Sequence, residues 1–179
     1  MALVTVSGPP GAGKTTVAKM LSRRLGLRLV SGGSMFREEA RRRGLSLEEL
    51  SRLAEEDDSI DRALDATLVK EMRRGEAVVD SRLAGWLATV AGIGAFKVYL
   101  RAPLEVRAER VARRDGIPVE EAKRLISERE RSELSRYWAY YRADPTREEI
   151  YDLVVDTSNL SPEGVLKRIL EALPWRPST

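Results

Sequence analysis

The stretch Val4-Thr5-Val6-Ser7-Gly8-Pro9-Pro10-Gly11-Ala12-Gly13-Lys14-Thr15-Thr16 decides the fold of this chain. A short apolar run leads into the pattern Gly-x-x-x-x-Gly-Lys-Thr, and a helical pattern follows at once. This strand–loop–helix context is typical of a phosphate-binding loop, or P-loop. The glycines let successive backbone N–H groups turn towards one anion, and the start of the next helix adds free amides and its positive dipole end. The sequence therefore predicts a nucleotide-phosphate site near the N-terminus.

The side chains of this loop suit a nucleoside triphosphate with a divalent ion. Lys14 places a compact cation between the outer phosphates, and the hydroxyl of Thr15 can coordinate Mg²⁺. A glycine-rich turn that merely precedes a helix is the alternative, which the preceding strand disfavours. We expect ATP to be bound by the whole loop: Ser7, Gly8, Pro9, Pro10, Gly11, Ala12, Gly13, Lys14, Thr15 and Thr16.

Composition limits the chemistry that this chain can use. Its 179 residues suffice for one α/β domain, and they include neither cysteine nor histidine. Disulfides, Cys/His zinc sites and imidazole acid–base catalysis are therefore excluded. Catalysis must use Lys, Arg, carboxylates, hydroxyls, backbone amides and a hard metal ion. The lack of cysteine fits a cytoplasmic protein, which is the location we expect.

The basic net charge could indicate a nucleic-acid partner, whereas hydropathy gives no sign of a membrane segment. The net charge is +3, but Arg alternates with Glu along the predicted helices, which is typical of a salt-bridged helical surface. The longest uncharged run, Leu83 to Phe96, has 14 residues and is too short to span a bilayer. The N-terminus enters a strand directly, so we expect no secretory signal. We expect a monomer that binds neither nucleic acid nor membrane.

Strands alternate with helices along the chain, which predicts a doubly wound parallel sheet of at most five strands. We expect the strands at 3–6, 27–30, 77–80, 95–100 and 151–155, and the tail 175–179 to be loose. The core is predicted to comprise residues 1–33, 75–102 and 150–173. Two helical blocks, about 34–74 and 103–149, exceed what simple crossovers need. They are candidates for mobile flaps over the nucleotide.

Two further strand ends carry candidate ligand-binding residues. Ser31 and Gly33 follow the second strand, and Arg37 lies one turn into the next helix, where together they can hold a second phosphate. Asp80 ends the third strand, where an acid of the Walker-B type would hold a magnesium-bound water, and Arg82 follows it into the same crevice. The alternatives are a helix cap with a surface arginine for the first group and a structural ion pair for the second.

Two later helices carry charged faces. Arg110 and Arg114 are spaced i, i+4, and Arg129, Glu133 and Arg136 share a face of the long helix. One arginine among 25 is more often a solvated charge than a ligand. The aromatic cluster 137–141 could stack a base, but packing against a neighbouring helix is the favoured interpretation.

Beyond the P-loop, the chain resembles the nucleoside monophosphate kinases, and among them the archaeal-type cytidylate kinases, over nearly its whole length. The residues that carry the resemblance are Ser7-Gly8-Pro9-Pro10-Gly11, Ser31-x-Gly33-x-x-Phe36-Arg37, Ala54-Glu55-Glu56-Asp57, Ile60-Asp61-Arg62, Arg82-Leu83-Ala84-Gly85-Trp86, Arg101-Ala102-Pro103-Leu104-Glu105-Val106-Arg107, Ile126 to Glu130, Tyr151-Asp152-Leu153-Val154 and Thr157-Ser158.

This resemblance implies a kinase that transfers a phosphoryl group from ATP to CMP, with dCMP as a second acceptor and Mg²⁺ as the cofactor. It implies a P-loop fold with a helical NMP-binding insertion at 34–74 and a lid at 103–149. The implied catalytic residues are Lys14, Arg82, Arg110, Arg114 and Arg129. The implied acceptor-binding residues are Ser31, Gly33, Arg37, Asp80, Arg82, Glu133 and Arg136. The implied metal site is Thr15, with Asp80 acting through water.

Three alternatives stay open at this point. The same fold could carry an adenylate kinase or a (d)NMP kinase of broader choice. It could be a P-loop nucleotide-binding or RNA-binding protein without kinase activity, although a GTPase would need an Asn-Lys-x-Asp guanine reader that the sequence lacks. A structural protein that merely retains nucleotide is the third.

Overall fold

The computed structural model describes residues 2–175, and five parallel strands form one sheet within them. The strand order is β2-β3-β1-β4-β5, with each neighbouring pair parallel. The strands are β1 (Leu3–Ser7), β2 (Arg28–Ser31), β3 (Ala77–Asp80), β4 (Phe96–Arg101) and β5 (Leu153–Asp156). The predicted doubly wound parallel five-stranded sheet is confirmed.

Eight α-helices connect and cover the strands in the described part of the chain. They are α1 (Lys14–Leu25), α2 (Gly32–Arg43), α3 (Leu47–Glu56), α4 (Asp58–Arg74), α5 (Ala84–Val90), α6 (Leu104–Asp115), α7 (Val119–Tyr141) and α8 (Pro162–Ala172). A short 3-10 turn spans Glu148–Ile150. Across residues 2–175, no helix combines the length and apolar character needed to cross a membrane.

The sheet is covered on both faces, which explains its nearly continuous apolar strands. Every residue of β1 and β3 is buried. On one face, Val4 and Val6 pack with α1 and α8 in a common core. On the other face, Leu3 and Val79 pack with α4 and α5. This arrangement places the carboxyl ends of β1 and β3 side by side at one edge of the sheet, with the P-loop above them.

Two smaller apolar clusters lie outside the sheet core, in the two helical blocks that exceed simple crossovers. One joins α2, α3 and α4 around Leu50 and Ile60. The other joins α6 to α7 around Val111 and Ile126. A capping box opens α3, since the Ser46 hydroxyl accepts from the Glu49 amide while the Glu49 carboxylate accepts from the Ser46 amide.

The C-terminal elements differ from the prediction in detail. The last strand begins at Leu153 rather than at Tyr151, because the Tyr151 amide donates to the carbonyl of Glu148 and closes the preceding 3-10 turn. The expectation of a loose tail is wrong for Trp175, whose ring packs edge-on against Phe96 at 6.5 Å. Residues 176–179 of that predicted tail lie outside the described residues.

Candidate active site

The loop between β1 and α1 leaves the first turn of α1 open to an anion. Gly13 is the N-cap residue, has a φ of 94° and supplies no side chain that could cap the helix. Residues with a Cβ rarely adopt this conformation. The first-turn amides therefore keep their hydrogen-bonding capacity and act together with the positive end of the helix dipole. This main-chain geometry can hold phosphate oxygens.

The charged form of Lys14, at the base of the loop, is disfavoured by its surroundings. Its ammonium donates to the carbonyl of Pro9 at 3.1 Å. Burial lowers the pKa of Lys14 to about 8, with Asp80 opposing the shift and Arg129 and Arg82 adding to it. An anionic ligand beside this group would favour its charged form. The site of this ammonium group therefore favours the binding of a phosphate beside it.

Three side-chain oxygens that could coordinate a metal ion lie close together where β2 and β3 end. The hydroxyl of Thr15 donates to Oδ2 of Asp80 at 2.9 Å, and Oγ of Ser31 lies 3.5 Å from the same oxygen. In residues 2–175, no group of three or more acidic, His or Cys side chains could hold a metal by itself. Mg²⁺ is usually bound by one or two protein oxygens together with waters and substrate phosphates. This donor set therefore fits a Mg²⁺ ion that arrives with a nucleotide.

A cavity of about 360 Å³ opens beside the P-loop and runs between the two helical blocks. Its volume is in the range of small-molecule sites. We define two parts of it by their lining. The P-loop end consists of Pro10, Gly11, Arg82, Arg129 and Glu133. The far end consists of Phe36, Asp61, Leu64, Asp65 and Arg136.

Arg82 is the decisive residue of the P-loop end. It is only 5% exposed, and its Nη2 donates to Oε1 of Glu130 at 3.2 Å. Its Nε and Nη1 are buried and have no hydrogen-bond partner in the described protein. Arg107 and Arg136 are also buried, yet neither has a buried nitrogen without a partner. Because an unpaired buried donor is costly, this edge of Arg82 points to an anionic ligand.

Glu133 offers an acceptor beside these donors. Its Oε1 accepts from Nε of Arg129 at 2.8 Å, while its buried Oε2 has no partner in the described protein. That oxygen lies 3.8 Å from Nε of Arg82, which is beyond hydrogen-bond distance. Burial raises the pKa of Glu133, but Arg129, Arg82 and Lys14 outweigh this effect and hold the pKa below its usual value. The P-loop end thus combines free donors with a free ionised acceptor.

The far end is fully paired by comparison. Nε of Arg136 donates to Oδ2 of Asp61 at 2.7 Å, and its Nη1 donates to the hydroxyl of Ser132 at 2.7 Å. The guanidinium also lies over the ring of Phe36 at 5.6 Å. Burial raises the pKa of Asp61, and Arg136 opposes that shift. This buried ion pair joins α4 to α7 across the back of the cavity.

A second acid lies one turn further along α4. Oδ2 of Asp65 accepts a hydrogen bond from the Tyr141 hydroxyl at 2.7 Å. Burial raises the pKa of Asp65 to about 7; the Tyr141 hydrogen bond opposes the shift and Asp61 adds to it. The Tyr141 ring stacks on Trp86 at 5.4 Å. This part of the aromatic cluster packs helices together, as the favoured interpretation proposed.

Comparison with known proteins identifies the family. The model of the cytidylate kinase-like family matches residues 3–159. The chain belongs to this family. The cytidylate kinase of Ignicoccus hospitalis is 47% identical over 173 residues, covering 97% of this chain and 99% of that protein. The cytidylate kinase of Methanopyrus kandleri is 44% identical over 181 residues, covering 96% and 94%. The resemblance read from the sequence is confirmed.

Solved structures support the fold of this kinase. The shikimate kinase of Bacteroides thetaiotaomicron aligns with a TM-score of 0.64, covering 97% of this chain and 99% of that one. At 16% identity, this likeness concerns the fold alone. It agrees with a P-loop kinase architecture.

Most of the residues that we assigned to the acceptor and lid groups line the cavity of this kinase. Those that do so are Gly33, Arg37, Arg82, Arg114, Arg129, Glu133 and Arg136. Arg37 is exposed, and its Nη2 donates to the Ser34 hydroxyl at 3.2 Å. Ser31 does not line the cavity; it caps α2 by accepting from the Ser34 amide.

Two of the predicted residues are engaged elsewhere. Arg110 does not reach the cavity, because its guanidinium donates to the hydroxyl and the carbonyl oxygen of Thr157 at 2.9 and 2.6 Å. The Ser7 hydroxyl is buried and accepts from the Gly85 amide at 3.2 Å, which connects β1 to α5. The Ser7 hydroxyl therefore helps to pack α5 against β1.

Sequence reasoning did not single out Arg107, Glu130, Asp61 or Asp65 as site residues. A signal was present for Glu130, since Ile126, Glu130, Glu133 and Tyr137 repeat at helical spacing and three of the four are buried. An acid at a predicted core position of a helix is a candidate for a buried ion pair. The same pattern places Asp61 in line with the buried Leu68 on α4.

Proposed function

We propose that this kinase transfers the terminal phosphoryl group of ATP to CMP, and to dCMP as a second acceptor. One observation carries the proposal. Buried nitrogens of Arg82 lie beside a buried oxygen of Glu133 in a cavity next to a P-loop, and none of these atoms has a hydrogen-bond partner within residues 2–175. A nucleoside monophosphate offers phosphate oxygens to the first group and ribose hydroxyls to the second. The curated relatives named cytidylate kinases support cytosine as the base.

The acceptor is oriented by the two ends of the cavity. Its phosphate lies at the P-loop end against Nε and Nη1 of Arg82, with Arg37 on the adjoining wall. Its ribose lies against Oε2 of Glu133. Its base lies at the far end, beside Phe36 and the Arg136 pair. This direction brings the acceptor phosphate close to the P-loop, where the donor phosphates bind.

The reaction needs no general base. The second pKa of a phosphate monoester is about 6, so the attacking oxygen of CMP is already deprotonated near neutral pH. That oxygen forms a bond to the γ-phosphorus of ATP as the bond from the γ-phosphorus to the β–γ bridging oxygen breaks. ADP leaves with the electron pair of that bond, and CDP forms. Catalysis then consists of alignment and charge stabilisation, which Lys14, Arg82 and Arg129 supply.

The donor site is the P-loop, Ser7 to Thr16, with its main chain around the phosphates of ATP. Thr15 and Asp80, the latter through water, would hold Mg²⁺, which supplies charge neutralisation of the phosphates when bound. We assign Arg114 and Arg129 to the transferring phosphates. Because Arg110 donates to Thr157, we assign it a structural role near β5 rather than contact with the acceptor.

We further propose that the two helical blocks act as separate insertions on the core. Residues 34–74 would form the NMP-binding insertion and residues 103–149 the lid, since each has its own apolar cluster and each lines the cavity. Closure of the lid would exclude water that could otherwise hydrolyse ATP. A cytoplasmic location, a monomeric state and the absence of nucleic-acid partners stay predictions.

A panel of acceptors tests the proposal. ADP formation is measured at equal concentrations of CMP, dCMP, UMP, AMP and GMP with ATP and Mg²⁺, and a Lys14→Ala protein prepared in parallel controls for contaminating kinases. We expect the highest kcat/KM for CMP and the next for dCMP. AMP outpacing CMP would reject the assignment in favour of an adenylate kinase. Comparable rates for all acceptors would favour a broader (d)NMP kinase.

A further inference from the structure

Glu130 is a partly buried link between the two nucleotide sites. Its Oε1 accepts from Nη2 of Arg82 at 3.2 Å, and its Oε2 accepts from Nη1 of Arg107 at 3.1 Å. Its side chain is 24% exposed, and it does not line the cavity. One carboxylate on α7 therefore holds two buried guanidinium groups that come from different parts of the chain.

Arg107 in turn is fixed to the P-loop. Its Nη1 also donates to the carbonyl of Pro10 at 3.3 Å, and its Nε donates to the carbonyl of Ala102 at 2.9 Å. The backbone of Gly11 lies so close that a Cβ there would be 3.0 Å from Cβ of Arg107. Arg107 is thus a rigid anchor, and Glu130 connects that anchor to Arg82.

We propose that Glu130 is a positioning residue for phosphoryl transfer, which rests on the proposed function. Its carboxylate holds the Nη2 corner of Arg82, so that Nε and Nη1 face the acceptor phosphate at a fixed separation from the P-loop. The distance between acceptor and donor phosphates then depends on the chain Arg82–Glu130–Arg107–Pro10. Glu130 touches neither substrate.

Charge and geometry make opposite predictions for Glu130. As a carboxylate beside two arginines, it lowers the positive potential at the acceptor phosphate, so its removal alone would strengthen anion binding. As a positioning residue, it keeps Arg82 aligned, and a misplacement of about 1 Å can reduce the rate by about a hundredfold. Two variants separate these effects. Glu130→Gln removes the charge and keeps the length, whereas Glu130→Asp keeps the charge and is one methylene too short to bridge both arginines.

The experiment measures kcat by ADP formation, the Kd of CMP by calorimetry and the Tm of each protein. Glu120→Gln is the matched control, since it removes the same charge from the same helix at a side chain that is 85% exposed and, within residues 2–175, pairs only with Lys123. We expect both Glu130 variants to lose about 10- to 100-fold in kcat, with a Kd for CMP within about threefold of the wild-type value. The control should keep the wild-type values of both.

Each other outcome has a defined meaning. A wild-type kcat in Glu130→Asp, or a raised kcat in Glu130→Gln, would overturn the proposal in favour of a charge effect. A weaker Kd with unchanged kcat would also overturn it, because Glu130 would then serve acceptor binding only. If Glu130→Gln does not fold, Glu130→Asp and its kcat decide alone. If the wild-type protein transfers no phosphoryl group to any acceptor, the proposed function itself fails, and that result is distinguishable from all of these.

Discussion

The two ends of the cavity are built from the same kinds of side chain but differ in how these are paired. At the far end, Arg136 has buried partners in Asp61 and Ser132. At the P-loop end, Arg82 keeps two buried nitrogens that have no partner among the described residues, and Glu133 keeps one such oxygen. A buried charge whose hydrogen bonds are all made within the protein stabilises the structure. A buried charge with unused hydrogen-bonding atoms can bind a ligand through them. An arginine that binds a ligand is therefore distinguished from one that stabilises the fold by its unused hydrogen-bond donors, more than by its residue type.

The largest expected effect tests the P-loop end directly. Lys14→Ala should lower kcat by about a thousandfold, since one cation that stabilises the transferring phosphate is lost. The Tm should stay within a few degrees or rise, because burial already lowers the pKa of Lys14 to about 8 and removing a desolvated cation relieves that cost. Steady-state kinetics and thermal unfolding check this. A kcat within tenfold of wild type, or a collapse of Tm, would contradict the contrast between the ends.

The far end should respond in stability. Arg136→Met leaves Asp61 buried without its cation, so we expect a loss of about 3 kcal/mol in the free energy of unfolding. Arg124→Met is the matched control, since Arg124 lies on the same helix and pairs with Glu128 at 3.0 Å, but with a side chain that is 55% exposed. That exposed pair should contribute no more than about 0.5 kcal/mol. Urea unfolding of both proteins measures the difference, and equal losses would show that burial does not set the strength of the pair.

The smallest expected effect concerns the pH dependence of stability at the far end. The pKa of Asp65 is raised from 3.8 to about 7 in the folded protein. Well below pH 4 the acid is protonated in both the folded and the unfolded state, so its ionisation does not affect the free energy of unfolding. As pH rises from 4 to 7, the unfolded state loses its proton first, so the folded state is progressively destabilised, and the penalty is constant above pH 7.

Asp65→Asn should remove this penalty, because an amide does not ionise. The amide oxygen can still accept the hydrogen bond from the Tyr141 hydroxyl. We expect the variant to be more stable than wild type at pH 8, with a smaller gain at pH 5. Urea unfolding at the two pH values gives the comparison. A gain that is equal at both pH values would mean that ionisation of Asp65 is not its source.

The sequence was most informative where the structure depends on local pattern. The P-loop is one continuous segment, and the helix predicted directly after it is observed as α1, Lys14–Leu25. The strand that ends at Asp80 was likewise predicted with its observed bounds. Glycine spacing, apolar runs and helix-stopping glycines are local signals, so these elements could be read without knowledge of the tertiary structure.

The pairing of buried charges could not be read in this way. Glu130 meets Arg82 and Arg107, which are 48 and 23 residues away in the chain. With 25 arginines and 28 acids available, sequence spacing does not select these partners. Arg110 and Arg114 share a helix face, yet Arg110 binds Thr157 just after β5 while Arg114 lines the cavity. Only the tertiary position of α6 decides between them.

A crystal structure with CMP and an unreactive ATP analogue tests the central claim most directly. The measured quantity is the distance from Nε and Nη1 of Arg82 to the nearest oxygen of the acceptor phosphate. We predict that at least one of these distances is about 3 Å, with Nη2 still bound to Glu130. A CMP phosphate bound away from Arg82, or Glu133 closed onto Nε and Nη1 in its place, would contradict the account.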